Sequence, residues 1–407
     1  MQSIRTGSKQ LIREINQAIV LDAVRAGRSL SRTDIARQTG LGLPTVSGIT
    51  AELIEAGLLL EGKTGKSAGG RRPVMLSLNA AAGYVVGVKV TGSEVISVLT
   101  DLDANVVDRH VETLTDQGID DVVAAVARCV LRLTPSAEGS PVHGVGVGLA
   151  GVIDRNRGVV RHATYSRWPT IALGSVLESR LSLPVVVDND VNALVAAEQW
   201  FGVGRDAADF VAVSVGRGIG LGMVLDGRLY RGATGGAGEL GHTKVEPNGP
   251  PCPCGQRGCL EALAGEPAIV RRVSEATGRP LTITDVLELA NQGDAAALSA
   301  LDDAGHRLGV AIGNLVNVLN PRLVVLAGEG TRASPFLLDS LQEAVRATTF
   351  DGLLDELELV VEPWDDEAWA RGAASLVLGE LFQPALRPGE SGRPSLTARP
   401  SLTAARA

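Results

Sequence analysis

Apolar positions near 3.6-residue spacing, with Leu11, Ile15, Ile19 and Val24 among them, predict a helix over residues 8 to 26. Ser31, with Asp34 three residues on, reads as the N-cap of a short helix ending at Thr39. Gly40-Leu41-Gly42 interrupts the pattern. Pro44 then falls in the first turn of the next helix, where its missing N–H does no harm. That helix is expected to bury Val46, Ile49 and Leu53 and to turn Thr45, Ser47, Gly48 and Thr50 elsewhere. After Gly57 come the apolar run Leu58-Leu59-Leu60, a loop containing Lys63, Lys66, Gly69, Gly70, Arg71 and Arg72, and the run Val74 to Leu78. Helices about a glycine turn, then strand, basic loop and strand, predict an α+β winged helix-turn-helix domain at residues 1–80. Its expected partner is double-stranded operator DNA, contacted by Thr45, Ser47, Thr50, Arg71 and Arg72. A three-helix protein-interaction domain with a solvated basic hairpin is the competing reading.

Ala80 to Gly83 marks a boundary. Beyond it Tyr84 to Thr91, Glu94 to Asp101 and Val106 to Thr113 read as strands, Asp120 to Leu133 as a helix, and Val142 to Leu149 as a buried strand running into a glycine turn. The strand Val185 to Val187 ends in Asp188-Asn189-Asp190, which starts a helix. Open α/β sheets place ligands at such carboxyl ends, although an Asx-turn and helix cap explain the same residues. A second series runs through Phe210 to Val215, Leu221 to Leu225, several helices and Leu323 to Leu326. Gly305 to Leu319 reads as a long buried helix in which Gly309 and Gly313 allow close packing, and Asp365 to Leu381 as a last helix. Residues 384–407 are too poor in apolar side chains to fold and are expected to form a disordered tail. Cys129, on an apolar helix, is expected to be a buried core thiol.

At 407 residues the chain exceeds the size at which one core keeps growing. Aromatics at 3% and 49 glycines favour α/β packing over a β-sandwich. The net charge of −8 conceals an asymmetry: residues 1–80 carry a surplus of five positive charges, so the remainder carries −13. A basic head on an acidic body suits a phosphate-binding segment on a sensor. No apolar run approaches the ~20 residues of a membrane span, and Met1 to Gly27 mixes charged and apolar positions, so a cytoplasmic protein with no membrane partner is expected.

The densest chemistry lies in one stretch. His242, Cys252, Cys254 and Cys259 offer one imidazole and three thiolates, the donor set of a tetrahedral structural zinc. The intervening segment is too rich in proline and glycine for regular secondary structure and needs a cross-link to hold one shape. A disulfide or unligated core thiols are the alternatives, but three clustered cysteines leave one unpaired. Glu239 and Glu261 flank the knot.

The run Gly235 to Glu261 resembles the signature of the ROK family, whose name joins repressors, open reading frames and sugar kinases, and the likeness extends over about residues 10 to 380. It implies a duplicated actin-like, ribonuclease-H-like two-lobe sugar-kinase fold, with a first lobe at 81–188 joined by the C-terminal helix 365–381, a second lobe at 189–364 carrying the zinc knot and a dimerisation surface, and a cleft between the lobes. It implies a sugar site at Asn189, Asp190, Glu239, His242 and Glu261, with Asp190 at the position of the kinases' general base. His242 would then face both zinc and sugar. The phosphate machinery departs from the family's kinases. Their opening acid and paired glycines are missing from Val86-Gly87-Val88-Lys89-Val90-Thr91-Gly92, Arg217 stands where they usually have threonine, and Glu329 interrupts the adenosine turn Gly328-Glu329-Gly330. Family regulators often carry arginine at the positions of Leu43 and Gly48, which shifts phosphate contacts here to Arg71 and Arg72. The resemblance therefore implies a non-enzymatic, sugar-responsive repressor, homodimeric or tetrameric, with a monosaccharide or sugar-derivative effector. An ATP-dependent sugar kinase with a DNA-binding head, or a zinc-stabilised interaction protein with a degenerate cleft, are the other readings.

Overall fold

The stripe predicted in the first helix forms α1, Lys9–Gly27, with Leu11, Ala18, Leu21 and Val24 buried. Ile19, expected on that stripe, is exposed, and its neighbour Val20 takes the inward position. β1 (Leu30–Ser31) leads into α2 (Arg32–Thr39), and Ser31 caps it as expected: its Oγ accepts from the Asp34 N–H, while the Asp34 carboxylate accepts from the Ser31 N–H. Gly40 closes α2 at φ 70°, and Gly42 and Pro44 start α3 (Leu43–Glu55). β2 (Leu59–Thr64) and β3 (Val74–Leu78) form the hairpin, β1 pairs with β3, and the wing is thus a three-stranded sheet. Ser31→Ala should cost α2 about 1 kcal/mol, read as faster amide exchange across residues 32–39 with exchange in the body unchanged.

This computed structural model describes residues 9–64, 72–164, 168–382 and 396. Arg71, the basic loop around it and the predicted tail at 384–407, Leu396 apart, lie outside the described residues. The chain divides into two units, one comprising residues 1–197 with 369–407 and the other residues 198–368. The chain leaves the first unit inside a helix, so Asn189 and Asp190 belong with the first unit and not with the second lobe of the sequence reading.

In the first unit the three predicted strands are β4 (Tyr84–Val90), β5 (Glu94–Asp101) and β6 (Val106–Thr113), followed by α4 (Ile119–Leu133) and β7 (Val142–Leu149). A hairpin of β8 (Gly151–Asp154) and β9 (Val159–Ala163), helix α5 (Leu173–Leu181), strand β10 (Val185–Asn189) and helix α6 (Asp190–Trp200) complete the series. The sheet order is β10-β7-β4-β5-β6, with β4, β5 and β6 an antiparallel meander and β7 and β10 parallel to β4. Cys129 is fully buried in the core that α4 forms on this sheet.

The second unit repeats the plan. β11 (Phe210–Val215), β12 (Ile219–Leu225) and β13 (Arg228–Tyr230) form the meander. After α7 (Glu261–Ala264), α8 (Glu266–Thr277), α9 (Ile283–Asn291) and α10 (Ala295–Leu319) come β14 (Leu323–Ala327), α11 (Ser334–Thr348) and β15 (Glu358–Glu362). The order β13-β12-β11-β14-β15 matches the first sheet strand for strand, which is the duplicated ribonuclease-H-like topology. α10 starts ten residues before the predicted Gly305 because the Asp294 carboxylate accepts from the N–H groups of Ala296 and Ala297, and Ala297, Ala300, Leu301 and Ala304 extend the buried stripe. Gly309 sits where a side chain would strike the Leu341 carbonyl, so α10 and α11 pack as closely as expected.

The last helix, α12 (Asp366–Leu381), returns to the first unit, where its residues from Trp369 onward pack on the sheet. A Cβ on Gly87 or Gly146 would collide with the carbonyl of Ala370 or Ala373, so the two central strands carry glycine where that backbone passes. Among the described residues no helix is long and apolar enough to cross a membrane.

Candidate functional site

The exposed face of α3 presents Leu43, Pro44, Thr45 and Gly48, with Ser47 half-buried. Thr50 is a correction: it is fully buried, its Oγ1 accepting from Arg32 Nε at 3.0 Å and donating to the Ser47 carbonyl. The reason lies in helical periodicity, since Thr50 follows Val46 by four residues and stays on the inward stripe. Arg32 also pairs with Glu61 of β2 at 2.9 Å, so one guanidinium ties α2 to both the recognition helix and the wing. Sequence reasoning missed that role. Arg72, two residues before β3, is exposed.

The metal-ligating set does converge. The donor atoms of His242, Cys252, Cys254 and Cys259 all lie within 4.8 Å of one another, a group that can hold a metal ion. His242 Nδ1 is 3.6 Å from Cys252 Sγ, and Cys254 Sγ is 3.7 Å from Cys259 Sγ. Within the loop that carries them the Cys252 N–H donates to the Gln256 carbonyl at 2.8 Å, the Gly258 N–H to the Pro250 carbonyl at 2.9 Å and the Val245 N–H to the Gly258 carbonyl at 3.0 Å. Gly258, at φ 67°, also lies where any Cβ would overlap the Glu246 carbonyl. Cys252 and Cys259 are buried with Ala262, and burial pushes the Cys252 thiol up to about 12. Lys244 Nζ donates to Cys259 Sγ at 3.1 Å.

The other ring nitrogen of His242 faces a carboxylate. Nε2 is 3.9 Å from Glu239 Oε2, placing the imidazole between the thiols and the exposed Glu239. Glu261, at the start of α7, accepts the Ile219 N–H at 3.1 Å and so is fixed to the turn between β11 and β12. In that turn Gly216 N–H donates to the Gly218 carbonyl at 3.0 Å. The Glu329 carboxylate accepts the Arg217 N–H at 3.2 Å and occupies the space where Gly216 would bear a side chain. The turn between β11 and β12 is therefore faced by an anion of the same chain.

In the first unit, Asn189 and Asp190 sit together at the carboxyl end of β10. Asn189 has a scaffolding duty: its Nδ2 donates to the Gly151 carbonyl at 2.9 Å and its Oδ1 accepts the Val191 N–H at 2.8 Å. Oδ1 also accepts the Asn192 N–H at 3.3 Å, so of the amide one N–H remains for a ligand. Beneath it the fully buried Asp188 accepts from Asn192 Nδ2 at 2.9 Å and pairs with Arg155, which reaches Glu380 at 2.5 Å. Asp190 Oδ2 forms an ion pair with Lys89 Nζ, and that ammonium lies 4.3 Å from the centroid of the Trp369 ring. The cue for Lys89 was its place within an otherwise apolar strand, Val86-Gly87-Val88-Lys89-Val90, because a charge there requires a partner.

A ROK family sequence model matches residues 85–380, and an IclR helix-turn-helix domain model matches residues 19–61. The chain is 31% identical over 370 residues to the xylose repressor of Bacillus subtilis, covering 90% of this chain and 96% of that relative. It is 30% identical over 382 residues to the DNA-binding transcriptional dual regulator NagC of Escherichia coli, covering 91% and 94%. Among solved structures, a ROK family transcriptional regulator described as a homolog of the E. coli MLC protein superposes with a TM-score of 0.80 at 29% identity, covering 90% of this chain and 96% of that one. A ROK family glucokinase from Streptomyces griseus, solved with glucose and AMPPNP, gives a TM-score of 0.64 at 27% identity and covers 72% of this chain and 99% of its own.

Proposed function

This chain belongs to the ROK family, and we propose that it is a sugar-responsive DNA-binding repressor of carbohydrate uptake or metabolism genes. The observation that carries this reading is a winged helix-turn-helix joined in one chain to a body in which the Glu329 carboxylate accepts the Arg217 N–H of the β11–β12 turn and Lys89 is paired with Asp190, an arrangement that speaks against nucleotide use. Relatives matched over nine-tenths of the chain, helix-turn-helix included, are named as repressors or regulators, whereas the glucokinase matches 72% of it.

Thr45 and Ser47 on α3, with Arg71 and Arg72 of the wing, contact operator DNA. A homodimer presents two such heads and a tetramer two pairs, so the operator is a near-palindrome with half-sites whole helical turns apart. Asn189, Asp190, Glu239, His242 and Glu261 contact a monosaccharide or sugar derivative, their carboxylates accepting from its hydroxyls. The effector acts through the difference between its affinities for the DNA-bound and free conformations, since no other term shifts their balance. The protein works in the cytoplasm, where operator and sugar meet.

One imidazole and three thiols are the donor set that zinc takes, and two of the donor pairs, at 3.6 Å and 3.7 Å within a group spanning at most 4.8 Å, are at the spacing that a common ion would need. When bound, it supplies a cross-link and no reactive site, because all four positions are filled by protein. His242 and the loop then hold Glu239 and Glu261 in place.

The test is fluorescence anisotropy of the full chain on labelled DNA from upstream of its own gene, at fixed salt because phosphate contacts are salt-sensitive. D-xylose, N-acetyl-D-glucosamine and D-glucose are added in turn. Specific binding that one sugar weakens is expected. Sequence-independent binding that no sugar changes would reject the repressor reading, and sugar-dependent ADP release would establish the kinase in its place.

A further inference from the structure

We propose that Lys89 is a specificity-determining residue of the effector site, acting with Asp190 to read one free hydroxyl of an uncharged sugar. The proposal rests on the reading of Asp190 as a sugar contact and adds to it the chemistry of what is read. Lys89 is 8% exposed, on the central strand of the first sheet, in register with Gly148, whose other neighbour in the sheet is Asp188. Gly148 offers no side chain to cover the strand ends, and the Lys89 ammonium reaches the Asp190 carboxylate there. An ammonium carries three N–H donors. One is directed at Asp190, the face of Trp369 takes part of the charge, and the side chain keeps 10% of its surface open beside an Asp190 that keeps 13%.

Three consequences follow from that geometry. Asp190 is held as an ion-paired carboxylate and serves as a hydrogen-bond acceptor in a fixed position. The two charges cancel, so a phosphorylated or acidic sugar gains no net attraction from the pair. A hydroxyl arriving there donates to Asp190 and accepts from Lys89 at once, a match that a deoxy position cannot make and an O-alkyl group meets only by leaving Asp190 without its donor.

The experiment is calorimetric titration of the full-length wild type, Lys89→Met and Lys89→Arg with D-xylose, D-glucose and N-acetyl-D-glucosamine, followed by the monodeoxy analogues of whichever sugar the wild type binds. The wild type should reject one monodeoxy analogue by about tenfold or more. Lys89→Met should weaken the parent sugar by a similar factor while leaving that analogue unchanged, so the discrimination vanishes. Lys89→Arg, which keeps the charge and the donors, should recover part of it. A purely supporting lysine predicts instead a uniform loss, or none, across parent and analogues, and that result would overturn the proposal. The double variant Lys89→Met/Asp190→Asn leaves no lone buried carboxylate and guards against misfolding of the single variant. If it keeps the wild-type discrimination, the proposal is wrong. A wild type that binds its operator but none of these sugars would instead remove the sugar reading and this proposal with it, a result distinct from a sugar-binding wild type beside an unaffected Lys89→Met.

Discussion

Removing the metal, by a chelator or by Cys259→Ala, should lower the melting temperature by about 10 °C and abolish the response to sugar. The size follows from what the loop holds without it. Residues 243–258 form no helix or strand, Pro247, Pro250, Pro251 and Pro253 bring no N–H, and the apolar support is the small cluster of Cys252, Cys259 and Ala262 with Val245 on the main core. Structural zinc in small fingers contributes about 10–16 kcal/mol of apparent binding energy. Here the metal braces one loop of a larger unit, so a loss of about 4 kcal/mol is expected, which at 2–4 °C per kcal/mol for a unit of this size gives the shift. The functional loss follows from adjacency: Cys259 lies two residues before Glu261, and His242 three after Glu239. Metal analysis should find zinc at one equivalent per chain, and adding zinc back should restore both properties. Retention should weaken as pH falls, because the ligands must be deprotonated to bind and burial pushes the Cys252 thiol upward. A chelated, metal-free protein that melts and responds as before would sink the proposal.

Much of this architecture could be read in the chain. Period-two and period-3.6 patterns placed the strands of both sheets' central parts and the helices of the N-terminal domain, because each such element buries one face and the pattern records which. The Ser31 cap and the Gly42-Pro44 start were equally visible, being local chemistry. The short edge strands Arg228–Tyr230 and Glu358–Glu362 were not, since the first has three residues, too few to show a period, and the second shows no alternation of burial. Thr50 shows a different limit at a single residue. Its type suited a DNA contact, but its position on the stripe and the reach of Arg32 from another helix decided otherwise. The metal ligands were legible because four donors at fixed spacing form a specific signal. The partner of Lys89 was not, because it stands 101 residues away and only the parallel pairing of the strands brings them together.

Glu239→Ala should leave operator affinity within about twofold of the wild type while removing the sugar response over at least a hundredfold range of sugar concentration, roughly 2.7 kcal/mol of lost effector binding. The two properties separate because the exposed Glu239 carboxylate lies at the surface, 3.9 Å from His242, so truncation opens no buried cavity. Asp190 requires a milder change. Deleting its carboxylate would leave the Lys89 ammonium buried without its counter-ion, at a cost of about 3–5 kcal/mol. Asp190→Asn keeps an oxygen for Lys89 and removes the charge, so it should also uncouple sugar from DNA with a smaller loss of stability. Operator anisotropy with and without sugar, beside a thermal melt of each variant, reads all three quantities. A fall in operator binding equal to the loss of sugar response would mean that these residues support the fold. Unchanged operator binding with the response gone would place Glu239 and Asp190 on the effector's side of the coupling, because linkage allows a ligand to move the DNA equilibrium only through groups whose contact with it differs between the two states.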